Sequence, residues 1–149
     1  MLQGPVFSQR DLEAIATDLG NASRKLEGGG WLRWNPHRLA LGMGDYDINV
    51  LTAALRTKGY GIEWFDRRKG AAEIPLDRAL GLILNKAPER IWQRRHWLAL
   101  RRLNGAYWNL DSALEAPTYF VDREQVSAFL DAELACGGHV FVVLSAVAE

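Results

Sequence analysis

His96 and Asp111, in the stretch "RRHWLALRRLNGAYWNLDS", are the residue types in this chain best placed to do chemistry together. Between them lies Asn104-Gly105, the signature of a two-residue type I′ turn, whose two central positions both take positive φ. With those residues as the loop, Leu103 opposes Ala106 and, further out, Leu98 opposes Asp111. Side chains alternate along a strand with period two, so His96 shares a face with Leu98. His96 and Asp111 then become diagonal neighbours, about 5–8 Å apart at the backbone. A slip of one residue would send them to opposite faces. A carboxylate in this place holds one ring nitrogen protonated, orients the imidazole and favours its charged form. That is the base-and-orienter half of a nucleophilic triad. The same pair also serves elsewhere as a plain structural hydrogen bond between strands, and spacing alone leaves both readings open.

The obvious nucleophile is missing from the neighbourhood. The single cysteine, Cys136, sits in "ELACGGHVF". A thiol becomes reactive when its pKa is depressed and a base is at hand; a turn-region cysteine is the simpler reading. Cys136 and His139 form a Cys-x-x-His pair, only two ligands where a structural zinc needs four. His37, after Pro36, has no ligand set around it. No metal or cofactor is expected. The glycines of "GGGWLRW" and "GMGD" lack the lysine and Ser/Thr of a phosphate loop.

The elements that must position the pair read as follows. "FSQRDLEAIATDLG" predicts a helix capped by Ser8, with Asp11 completing a capping-box variant and Gly20 as its stop. Leu12, Ile15, Ala16 and Leu19 share one face of it. "NASRKLEGGGWLRWNPHRLALGMG" reads as a long excursion with at most a short helix. "DYDINVLTAALRTKGYG" predicts a second helix, begun by Asp45 or Asp47 and ended by Gly59 or Gly61, with Val50, Leu51, Ala54 and Leu55 as its buried stripe. "GIEWFD" and "LGLILN" are strand-like runs that precede the hairpin. A third helix, capped by Asp122, covers "DREQVSAFLDAELACGG", and "HVFVVLSAV" is a β-branched strand. Helices first, then strands with one late helix, predict an α+β domain with a largely antiparallel sheet. Trp64, Trp97 and Trp108 fall on predicted strands as core or groove wall.

Composition narrows the function classes. The 149 residues suit one domain, and 48% hydrophobic with 24% charged content is that of a globular protein. Eighteen basic residues balance eighteen acidic ones, so there is no general pull toward nucleic acid or acidic lipid. The arginines and rings of "RRHWLALRR" alternate along a strand and do not change that expectation. No apolar window approaches the roughly 20 residues needed to span a bilayer, and the N-terminus has no secretion-signal pattern. Cytosol or nucleus is the expected compartment.

Taken together, "LQGPVFSQRDLEAIATDL", "GDYDINVLTAALRTKGYGIEWFDRR", "LGLILN", "RRHWLALRRLNGAYWNLDS" and "FLDAEL" resemble a Josephin domain, the family of ataxin-3-like deubiquitinases. The likeness runs in order over nearly the whole chain and is closest to the short stand-alone Josephin proteins. It implies a papain-like cysteine protease fold, a mainly antiparallel sheet flanked by helices, that hydrolyses the bond after ubiquitin's C-terminal glycine. By resemblance His96 is the general base and Asp111 the third triad member, Asn or Asp in this family. Ile48 and Asn49 match helix positions that contact ubiquitin in ataxin-3, and Phe7 matches part of a second ubiquitin-binding surface. Lys58 departs from the pattern, standing where ataxin-3 has a tryptophan. The family's nucleophilic cysteine and its oxyanion glutamine lie upstream of the segment that matches "LQG", and Gln3 does not replace the glutamine. The expectation is therefore a single Josephin-like domain over residues 1–149 that lacks its N-terminal cysteine-bearing helix. Its partners would be ubiquitin or polyubiquitin conjugates. Two functions follow: a cysteine-type ubiquitinyl hydrolase domain, inactive as it stands for want of the nucleophile, or a non-catalytic ubiquitin-binding module.

Overall fold

The computed structural model describes residues 8–26, 48–90 and 95–145. These fall into two compact units, one of residues 62–145 and one that carries the two N-terminal helices.

In the helical unit, α1 (Gln9–Leu26) starts at a reciprocal cap. Asp11 Oδ2 accepts from the Ser8 N–H at 2.7 Å, and Ser8 Oγ accepts from the Asp11 N–H at 3.2 Å. Both donors belong to the first turn, where no helical carbonyl is available to them. The serine also holds the Asp11 carboxyl below its ordinary range. Ala16 is fully buried, packed with Leu12, Ile15 and Leu19, so the predicted stripe is the buried face. It meets Val50 of α2 (Ile48–Arg56), whose other buried residues are Ala54 and Leu55. Leu51 is only half-buried. Gly20 does not stop α1, which runs six residues further, to Leu26. A glycine inside a helix costs about 1 kcal/mol against alanine, too little to end one that its flanking turns support. Asp45, Asp47 and the tryptophans of the excursion lie outside the described residues.

From residue 60 onward the chain forms β1 (Tyr60–Trp64), β2 (Gly81–Lys86), β3 (His96–Leu103), β4 (Ala106–Asn109), β5 (Thr118–Phe120), α3 (Arg123–Ala135) and β6 (His139–Ser145). The strands make one sheet in the order β1-β6-β2-β3-β4-β5. β2 runs antiparallel to both β3 and β6, and β3–β4 and β4–β5 are antiparallel too. Alternation and register together build the core. Leu84 faces Leu98 on one side and Val140 on the other, and Leu82 faces Leu100 and Val142. All six are buried, and α3 lays Val126, Leu130 and Leu134 against them. Full burial of each such side chain is worth about 1.5–3 kcal/mol.

Both ends of α3 are built by local chemistry. Asp122 accepts from the Gln125 N–H at 2.9 Å, and the Gln125 side chain accepts from the Val121 N–H at 3.0 Å. At the other end Gly137 takes φ +86°. Its N–H reaches Leu134 O, while the Gly138 N–H reaches Glu133 O, the paired bonds of a Schellman motif. β5 was not predicted, because three residues, two of them exposed, leave no readable alternation. No described helix is long and apolar enough to cross a membrane.

Candidate functional site

The hairpin of β3 and β4 turns at Asn104 and Gly105, with φ of +50° and +85°, as a type I′ turn requires. Leu103 pairs with Ala106 and Leu100 with Asn109. Beyond the ladder the Leu110 N–H still donates to Ala99 O at 2.8 Å, which carries the register on to Asp111. His96, first residue of β3, and Asp111 meet there: His96 Nε2 lies 2.6 Å from Asp111 Oδ1.

Asp111 is the fixed partner. Its side chain is 8% exposed against 40% for His96. Its own N–H donates to Asn109 Oδ1 at 3.1 Å, and its Oδ1 accepts from the Ala113 N–H at 2.9 Å. Burial pushes the carboxyl upward. The Ala113 N–H, the bond to His96 and the charge of Lys86 outweigh it, and the net result lies below the ordinary value. Asp111 is therefore an anion at neutral pH, an acceptor only. Nε2 must then carry the proton, which leaves Nδ1 as the basic lone pair on the half-exposed ring. An imidazole held in this tautomer can take a proton from a group that approaches Nδ1.

The strand entry is clamped as well. Arg95, next to His96, donates Nε to the Asn85 side chain and Nη2 to Asn85 O at 2.9 Å and to Gly137 O at 3.0 Å. Asn85 is buried, so this guanidinium satisfies a polar group inside the sheet while it ties β2 to the turn after α3. No sequence signal marks this clamp, because it joins residues of three separate elements. His96 has a further neighbour that sequence reasoning missed: Lys86, its cross-strand partner on β2.

The remaining predicted residues belong to other elements. Ile48 is half-buried and Asn49 exposed, in the first turn of α2 in the helical unit. Phe7 lies outside the described residues. Cys136 caps the C-terminus of α3, exposed, and no hydrogen bond from its sulfur to His96 appears among the described residues. His139 packs edge-on to Trp64, with ring centroids 5.2 Å apart. Burial, with help from Arg95 and Arg67, pushes its pKa down, so it is a neutral ring. Trp64 is 61% exposed; it leans on Phe141, as Trp97 does, at 5.0 and 5.8 Å between centroids.

Comparison with known proteins gives a consistent picture. A family model described as Josephin matches residues 1–144. Josephin-2 of Homo sapiens is 42% identical over 144 residues, covering 92% of this chain and 72% of that protein. A Josephin-like protein of Drosophila melanogaster is 37% identical over 153 residues, with 97% of this chain and 65% of its own length covered. An ataxin-3 homolog of Arabidopsis thaliana is 33% identical over 156 residues, covering 96% of this chain and 52% of that protein.

Proposed function

Because the chain belongs to the Josephin family, a family of deubiquitinase type, we propose that it is a domain of a cysteine-type ubiquitinyl hydrolase that cleaves after ubiquitin's C-terminal glycine. One observation carries the reading: the 2.6 Å contact of His96 Nε2 with a buried, ionised Asp111. In the reaction His96 Nδ1 removes the proton from a cysteine thiol. The thiolate attacks the carbonyl carbon of the terminal glycine, and the tetrahedral intermediate collapses to a thioester. The departing amine takes the proton back from His96. Asp111 keeps the ring oriented and stabilises the imidazolium that forms in between. Cys136, the exposed C-cap of α3, makes no hydrogen bond to the pair among the described residues, and the thiol of this proposal is a cysteine other than Cys136.

A second reading rests on Cys136, the one cysteine of the sequence, which ends α3 and makes no hydrogen bond to His96 among the described residues. The chain would then be a non-catalytic module that holds ubiquitin through Ile48 and Asn49, the latter exposed on α2.

Ubiquitin bearing a C-terminal electrophile separates the two. The 149-residue chain alone should form no adduct. The chain extended by the N-terminal cysteine-bearing helix of a Josephin relative should form one, and His96→Ala should abolish it. A folded extended chain that binds ubiquitin but never reacts, or reacts equally well without His96, would leave the binding module as the surviving reading. An adduct on the unextended chain that is lost in Cys136→Ser would overturn the exclusion of that cysteine.

A further inference from the structure

The mechanism above uses two residues of a longer row. In the β2–β3 ladder Lys86 is the direct partner of His96, and facing residues of an antiparallel pair hold their Cβ atoms about 5 Å apart on the same face. The Lys86 side chain reaches on to α3, where Nζ stands 3.2 Å from Glu133 Oε1, with 29% and 15% of the two side chains exposed. Charges this far out of solvent are screened less than surface pairs. The row therefore runs carboxylate, imidazole, ammonium, carboxylate, from Asp111 through His96 and Lys86 to Glu133.

For a general base this order poses a problem. An imidazole that accepts a proton becomes a cation on the residue paired with Lys86, and a nearby ammonium opposes that charge. Arg95, next in sequence, is also cationic, but its guanidinium is hydrogen-bonded to Asn85 and Gly137 O and not to this row. The charged groups brought to this position by β2, the segment after β4 and α3 are Lys86, Asp111 and Glu133. We infer that Lys86 and Glu133 are a positioning pair for the candidate centre: Glu133 draws the ammonium toward α3 and cancels its charge, so that Lys86 supports the Asp111 carboxylate without opposing the charging of His96. This deepens the reading of His96 as general base and rests on it.

The test is an NMR titration of the His96 ring in the 149-residue chain, which needs no catalysis. Glu133→Gln leaves Lys86 uncompensated and should move the ring's midpoint to lower pH by about half a unit. Lys86→Met leaves Glu133 unopposed and should move it upward by a similar amount. The double variant should return to within about 0.2 unit of the parent, and Lys86→Arg, which keeps the charge, should stay there too. A pair that merely pins α3 to the sheet would lower thermal stability in both single variants and leave the midpoint where it was. That result overturns the inference. If Glu133→Gln fails to fold, the upward shift in Lys86→Met decides alone, and its absence is equally fatal. The general-base reading fails differently, through ubiquitin labelling that persists without His96.

Discussion

Replacing Gly105 by alanine tests the local geometry on which the site depends. Gly105 has φ +85°, and a Cβ built there meets nothing within 4 Å. The penalty is thus backbone strain alone, about 1–2 kcal/mol for an L-residue in the left-handed region. Gly70 supplies the control within the same unit: its φ is −71°, which alanine adopts freely, and its Cβ also meets nothing within 4 Å. Gly70→Ala should be neutral or gain a few tenths of a kcal/mol through the unfolded chain. In urea, with a slope of about 2 kcal/mol per molar, Gly105→Ala should lower the unfolding midpoint by roughly 0.5–1 M. The low-field Nε2–H resonance of His96 should persist, since the four register pairs of the ladder hold Asp111 in place. Equal midpoints for the two variants would refute the positive-φ turn. The register of His96 and Asp111 would then not be set by the turn sequence.

Other perturbations have equally definite outcomes. Asp111→Asn removes a carboxyl whose folded pKa lies below its ordinary value; its contribution, about 1–3 kcal/mol, is complete above the unfolded value near 3.9 and fades as pH falls through the folded one. The stability gap to the parent should not shrink between pH 7 and 5 in urea titrations, and a gap already closed at pH 5.5 would contradict the assignment. Leu130→Ala empties a fully buried site and should cost about 2–5 kcal/mol, whereas a cost below 1 kcal/mol would mean that α3 does not pack as described. Asp122→Ala removes the acceptor for the Gln125 N–H and should cost about 0.5–2 kcal/mol, with Asp122→Asn recovering most of it by thermal melts.

The parts of the fold legible beforehand are those where a short stretch decides its own geometry. Asn104-Gly105 announces the turn, period two carries the consequence to His96 and Asp111, and Ser8 with Asp11 announces a helix start. Gly20 misled because a single glycine is a weak stop signal when the residues on either side continue the helix. β5 was invisible because it exists only as the outer partner of β4, with Phe120 the sole residue of the three that is not exposed. Lys86, Glu133 and the Arg95 clamp were out of reach for a related reason. Their meaning depends on which strand lies beside β3 and on how α3 crosses the sheet, and those are facts of tertiary pairing that no local spacing encodes.

The strand order has one more consequence, for the birth of the molecule. β2 has β3 on one flank and β6 on the other, and β6 is formed by residues 139–145. While the chain is being synthesised, the β2–β5 meander can assemble with the inner edge of β2 bare. That edge presents unpaired amides and carbonyls flanked by Leu82 and Leu84, an open template for another nascent chain. Only when residue 145 has cleared the ribosome does β6 slot in and seal it, so ribosome-bound chains that stop short of β6 should be the ones that holdase chaperones grip.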